Sequence, residues 1–351
     1  MGIAMRAFAL TAAIALCTIA AEGRAVRVRM LDLPRHATIE PFASRALMAV
    51  SDDGTIAATL TLHGFVTRPI VWAKGGAPYR LAGVRGSVAG FDGTGTLLIN
   101  SDRPRRLGAG APAIDMTSCE DFPHATTGPN LAGVLSNGAL IATMQSPAMV
   151  NLDDTSGQNA PVVLHLRSRQ CLNMGNGIAL ATAGLYTAGY VAFIANVPAP
   201  SNVISSKERF VAMRWHERTR EALGAGVALA INAAGAAAGA DVPPGSGAAY
   251  DVAPHARLWR ADGSVVELAP NSPLSAGYAI DQRNRVTGMM QDARGLHYAF
   301  LWDGATLRRL DDVVNAPGWR FECGYAFAPG GGIVGIGTYR GNAAAFEVDG
   351  L

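Results

Sequence analysis

One motif recurs seven times along this chain, and a repeat constrains a fold more tightly than composition does. Its clearest copy is Gly277 to Trp302, GYAIDQRNRVTGMMQDARGLHYAFLW, which reads as strand, tight turn, strand, loop and strand. Aligned on the turn residue, the anchors are Gly54, Gly95, Gly138, Gly184, Gly235, Asn284 and Gly331, with spacings of 41, 43, 46, 51, 49 and 47 residues. Gly or Asn suits a tight turn because it tolerates positive φ. Four residues before each anchor stands a large apolar residue: Val50, Phe91, Val134, Leu180, Ile231, Ile280 and Phe327. Five before stands Ala or Gly: Ala49, Gly90, Gly133, Ala179, Ala230, Ala279 and Ala326. Four after, the residue is small in every unit but the second, which has Ile99.

A third strand follows in most units. YAFLW at Tyr298 to Trp302 matches PIVWA around Trp72, VAMRW ending at Trp215, ARLW ending at Trp259 and AAFEV at Ala344 to Val348, with VVLHL at Val162 to Leu166 a weaker copy. Unit two shows no clear copy between Asn100 and Ala113. A fourth strand carries spaced leucines, as in Leu307 to Leu310 and Val265 to Leu268. The recurring Trp residues are expected to pack in the core rather than stack on sugars.

The ends of the chain complement each other. Val26 to Leu33, VRVRMLDL, alternates as a half-buried strand does and resembles a fourth strand. The last unit stops after its third strand at Val348. An N-terminal strand that completes the C-terminal blade would close a ring and remove exposed sheet edges. The sequence therefore predicts an all-β chain, residues 26–351, folded as one β-propeller of seven blades, with six or eight open as alternatives because unit two is degenerate. The 41 glycines and a charged fraction of 16% suit such a turn-rich fold.

Residues 1–25 have the layout of a secretory signal peptide. Arg6 precedes a 15-residue apolar run, Ala7 to Ala21, and small residues follow. The run is short for a membrane span. Cys17 raises lipidation as an alternative, which Leu16 before it disfavours. The expected location is periplasmic or secreted. A net charge of +2 and no basic run rich in aromatics argue against nucleic acid as partner.

Residues 227–302 and 317–348 resemble the extracellular repeats of the HAF family. AINAAG at Ala230 to Gly235, HYAFLW at His297 to Trp302 and GWRFECGYAFAPGGGIVGIGTYRGNAAAF at Gly318 to Phe346 carry the resemblance. The His-Ala-Phe tripeptide itself is absent, its positions reading YAF, ARL and AAF. The resemblance implies export and a propeller-like β fold, and it implies no catalytic residues.

Units three, four and five carry long polar segments at Ser146 to Pro161, Ala195 to Arg209 and Ala240 to Pro254. Two connections between units, Ser118 to Asn130 and Asp311 to Cys323, belong to the same face of a propeller. That face is expected to bind the ligand. Its candidate residues are Glu120, Asp121, His124, Asp153, Asp154, Asn159 and Lys207. Carboxylates with a His can hold a cation or exchange protons, yet no motif supports calcium or any other cofactor. HExxH, EF-hand, P-loop, GxSxG and CxxC motifs are all missing. Cys119 and Cys171 form the preferred disulfide, and Cys323 reads as a buried apolar residue. Asp52, Asp53 and Asp281 sit where Asp bonds a turn backbone, and His255 and His297 read as structural.

The sequence thus points to an exported, non-enzymatic binding or scaffolding propeller, with an extracellular polymer or an envelope protein as partner. A propeller hydrolase or lyase acting on polysaccharide is the alternative, and it requires paired carboxylates at the axial mouth. A structural envelope protein without a specific ligand is the third reading.

Overall fold

A computed structural model describes residues 26–34, 37–39, 47–62, 66–74, 78–80, 84–101, 105–107, 130–145, 159–165, 170–175, 177–197, 205–217, 219–242 and 254–351. The strands form seven antiparallel sheets, so the chain is an all-β propeller. Six sheets carry four or more strands, as a full blade does. The unit-two sheet, Ser87–Phe91, Leu97–Asn100 and Arg105–Leu107, carries three among the described residues. The expectation of seven blades, with six or eight left open, is corrected to six full blades, unit two being a reduced sheet. The short RRL strand is the third strand that unit two seemed to lack. One helix, Leu310–Val313, is present among the described residues, and no helix there is long and apolar enough to cross a membrane.

The first strand of each unit packs on the first strand of the next, and that of unit seven, Trp319–Phe327, packs on that of unit one, Met48–Val50. The outermost strand of the unit-seven sheet comes from the other end of the chain. Arg27–Leu31 pairs antiparallel with Asn342–Asp349, from Arg27 opposite Asp349 to Leu31 opposite Ala345. Leu31 is buried in the main core, and Arg29 pairs with Glu347.

All seven anchors have positive φ, between 58° and 88°. In six units the turn takes one form. In unit one the Gly54 N–H donates to the Ser51 carbonyl at 3.0 Å, and Ser51 N–H donates to the Thr55 carbonyl at 2.9 Å. This is a type I turn followed by a left-handed residue, in which Gly carries no steric cost. Unit four differs. Ala183 pairs directly with Tyr186, so Gly184 and Leu185 form a two-residue hairpin. The shorter turn shifts that unit by two residues. Leu180 and Ala181 line the axis beside Leu229 and Ala230, so the small position is Ala181 and not Ala179.

Six first strands contain a bulge, as between Gly277 and Ala279 in unit six. Opposite the bulge the second strand comes close. A Cβ on Gly288 would stand 2.0 Å from the Ala276 carbonyl oxygen, and one on Gly335 would stand 2.0 Å from that of Cys323. At these two positions the close approach leaves no room for a side chain, whereas the bulges of units two and three face Ile99 and Ala142. Gly288→Val should therefore lower unfolding free energy by about 2 kcal/mol or more, read from chemical denaturation followed by tryptophan fluorescence. An unchanged midpoint would contradict the close approach.

Candidate functional site

The sequence-derived candidates fall mostly outside the described residues: Glu120, Asp121, His124, Asp153, Asp154 and Cys119 all do, as do residues 1–25. Asn159, Lys207 and Cys171 are described in backbone only. Two of these three are corrected from loop to strand. Asn159 opens the third strand of unit three opposite Gln145, and Lys207 lies opposite Ala195 in a twelve-pair ladder of unit four. Extended pairing takes over residues that polarity alone assigns to loops. Asp311 to Cys323 is likewise not all loop, since it holds the helix Leu310–Val313 and the start of the strand Trp319–Phe327.

The axis is apolar. Its channel, about 330 Å³, is lined by the first strands of all seven units, chiefly by Ala, Gly and aliphatic side chains with Tyr278 and Tyr325. Among the described residues no carboxylate lines it. Trp72, Trp215 and Trp259 are buried, as core residues should be. Cys323 is buried without a disulfide partner, and burial pushes its thiol well above the ordinary value. Such a thiol is inert.

On the face of the tight turns, neighbouring turns are strapped together. Ser136 N–H donates to the Gly184 carbonyl at 2.7 Å, and Arg214 Nη1 donates to that of Gly235 at 2.6 Å. Asn232 Nδ2 donates to the Asp281 carbonyl at 3.0 Å and to Asn284 Oδ1 at 2.8 Å. That second bond gives a reason for Asn, not Gly, at this anchor. Arg285 then reaches from Asp281 Oδ2, at 2.7 Å, to the Gly331 carbonyl, at 2.9 Å. Units three to seven are tied in this way. No such bond joins the turns of units one, two and three among the described residues.

A cleft of about 660 Å³ opens where the straps stop. Its floor is apolar, made by Val50, Phe91, Val134 and Leu135. Its rim holds Asp52, Arg106, Ser136 and Asn137. Asp52, Ser136 and Asn137 are exposed; Asn137 Oδ1 accepts the Ala139 N–H at 3.0 Å, which leaves its Nδ2 to face a ligand. Asp92, at the wall, is spent on the turn. Its Oδ1 accepts the Thr94 and Thr96 N–H groups at 2.9 Å and the Thr94 hydroxyl at 2.6 Å. Arg106 Nε stands 3.5 Å from its Oδ2. Burial works to raise the Asp92 carboxyl, but these bonds and then the Arg106 charge outweigh it and hold it below the usual carboxylate value. Ser51 donates to Asp53, whose carboxyl is lowered by that bond and by the Thr55 N–H. A depressed carboxylate is a poor general base, and no imidazole lines the cleft among the described residues. The arrangement offers groups that can bind a ligand. Among the described residues no three of His, Cys, Asp and Glu converge as metal ligands would.

A second polar group lies at the seam of units six and seven, on the opposite face. Burial lowers the His297 imidazole, with Glu322 opposing and Arg320 reinforcing the shift. Burial raises the Asp311 carboxyl; the Phe321 N–H at 3.4 Å opposes this weakly and the Asp312 charge adds to it. Asp311 Oδ2 is buried with no hydrogen-bond partner, and the nearby cation Arg320 is engaged by Glu322. Sequence alone reads His297 as structural and Asp311 as part of a connection, because the short helix at Leu310–Val313 carries no clear signal.

No protein-family model matches the chain, and no curated protein matches its sequence. Solved structures do resemble it in fold. The β-propeller domain of the trilobed protease from Pyrococcus furiosus, which has an open velcro topology, aligns with a TM-score of 0.55 at 8% identity, covering 88% of this chain and 96% of that one. The acylaminoacyl peptidase of Pyrococcus horikoshii aligns with a TM-score of 0.53 at 12% identity, covering 89% of this chain and 53% of that one. The chain thus spans about half the length of that peptidase. At these identities the likeness is one of fold alone.

Asp311 yields a pH prediction. Its folded value is raised above the unfolded one, so the folded state holds the proton more tightly. The resulting stability is fully present below the unfolded value near 3.8 and is lost as pH rises through the folded value. Asp311→Asn, which still accepts the Phe321 N–H, should melt higher than the parent at pH 7 and converge with it at pH 3. A lower melting temperature at pH 7 would contradict the unpaired-carboxylate account.

Proposed function

We propose that the protein is an exported binding propeller that holds an extracellular polymer, without transforming it, in the cleft between the turns of units one, two and three. The observation that carries this reading is the cleft itself, an apolar floor under a rim of exposed carboxylate, hydroxyl and amide groups, with no nucleophile–base pair among the described residues. Its size falls within the range of ligand sites. We count unit two as a reduced seventh blade, and its first and third strands supply Phe91 and Arg106 to the cleft. Export rests on the layout of residues 1–25, and kinship with HAF-type repeats rests on residues 227–348.

A second reading has its own support. Both solved structures described above come from peptidases, so a hydrolytic role, or service as the propeller of a hydrolase, is the alternative. The apolar axis counts against a carboxylate pair at its centre.

The cleft is tested by binding to an array of extracellular polysaccharide fragments. Asp52→Ala and Asn137→Ala should each weaken a fragment that the parent binds by about tenfold, the equivalent of one hydrogen bond. Both side chains are exposed, so the fold should survive. Unchanged affinity in both variants would remove the cleft reading. Peptide or glycan turnover by the parent would favour the hydrolase.

A further inference from the structure

A second cavity on the tight-turn face, about 460 Å³, lies between units four and five. It adjoins the first cleft, since Gly184 lines one and Tyr186 lines the other. Its base is Arg214, whose side chain is 9% exposed. Nε and Nη2 of Arg214 both donate to a single oxygen, Glu221 Oε2, at 3.1 and 2.5 Å. Nη1 donates to the Gly235 carbonyl at 2.6 Å. A guanidinium has five N–H donors, so two remain beyond these three bonds. Glu221 is 53% exposed and stands at the cavity wall. A planar fork of this kind is shaped for both oxygens of a carboxylate, and Glu221 supplies only one.

The rest of the lining is polar. The His216 ring lies 4.5 Å from that of Tyr186, and the Thr219 hydroxyl donates to the His216 carbonyl at 2.7 Å. Among the described residues, aliphatic wall comes from Ala234 and Ala261. Glu217, beside His216, holds φ 52°, a left-handed conformation that a non-glycine residue adopts at a cost.

We propose that this cavity is a carboxylate-binding site, in which a ligand carboxylate takes the Arg214 fork and displaces Glu221, an internal stand-in. A sugar acid is the class that fits, because the walls offer hydroxyl, phenol and imidazole groups and little apolar surface for a peptide. The site is independent of the first cleft, and either can fail alone. Side by side, the two would seat successive residues of an acidic polysaccharide.

Titration calorimetry of the purified protein with trigalacturonate, maltotriose and triglutamate tests the proposal. Trigalacturonate should bind and maltotriose should not. Arg214→Lys keeps the charge and loses the fork, and it should weaken trigalacturonate by about tenfold or more. Because Arg214 is buried and that variant can fail to fold, Glu221→Gln provides a second arm. Removing the competing carboxylate should tighten trigalacturonate by about tenfold, whereas a merely structural ion pair predicts no gain. Asp52→Ala, in the other cleft, should leave the Glu221→Gln gain intact. The proposal is overturned by no trigalacturonate binding at millimolar concentration, by equal affinity for maltotriose or triglutamate, or by an unchanged affinity in Glu221→Gln.

Discussion

One strand pairing joins the first and the last described strands of the ring. Here Arg27–Leu31 lies along Asn342–Asp349, so the last sheet is built from residues more than 300 positions apart. That pairing covers the edge which unit seven would otherwise present to solvent. At the inner edge of the same sheet, the first strand of unit seven packs on that of unit one, which completes the axis. Axial crowding accounts for the small inner residue of unit three, whereas a Cβ on Gly90 of unit two would meet open space. On Gly133 a Cβ would stand 2.2 Å from Thr182 Oγ1 of the next unit.

Much of this was legible in the sequence because its causes are local. A turn that requires positive φ restricts its residue to Gly or Asn wherever it occurs. A strand end crowded at an axis, as in unit three, restricts the side chain to a small one. The misplacement of unit four has a local cause too: Gly184 serves a two-residue hairpin as readily as the longer turn, so composition does not reveal the shift. Asn284 was legible as a turn residue, but its reason is Asn232, 52 residues away. Asn159 and Lys207 looked like loop because they are polar, yet backbone pairing across a long hairpin is indifferent to polarity.

The candidate site was less legible because it is made by what adjacent units do not share. Loop length directed attention to the long-connection face. The cleft lies on the other face, among turns too short to attract notice, where the straps that tie units three to seven leave off. A strap is a side chain such as Arg285 reaching a neighbour's backbone, and the sequence shows the arginine without its target. The same holds for Arg214, whose two roles, strapping the Gly235 turn and facing a cavity, appear only once units four and five are placed side by side.

The central claim is that the face of the tight turns, and not the face of the long connections, receives the ligand. Hydrogen–deuterium exchange of the protein, with and without a saturating polysaccharide fragment, tests it most directly. The account predicts slowed exchange in the turns at 51–55, 92–96 and 135–139, with the segments 146–158 and 198–204 unaffected. Protection confined to those two segments would contradict it.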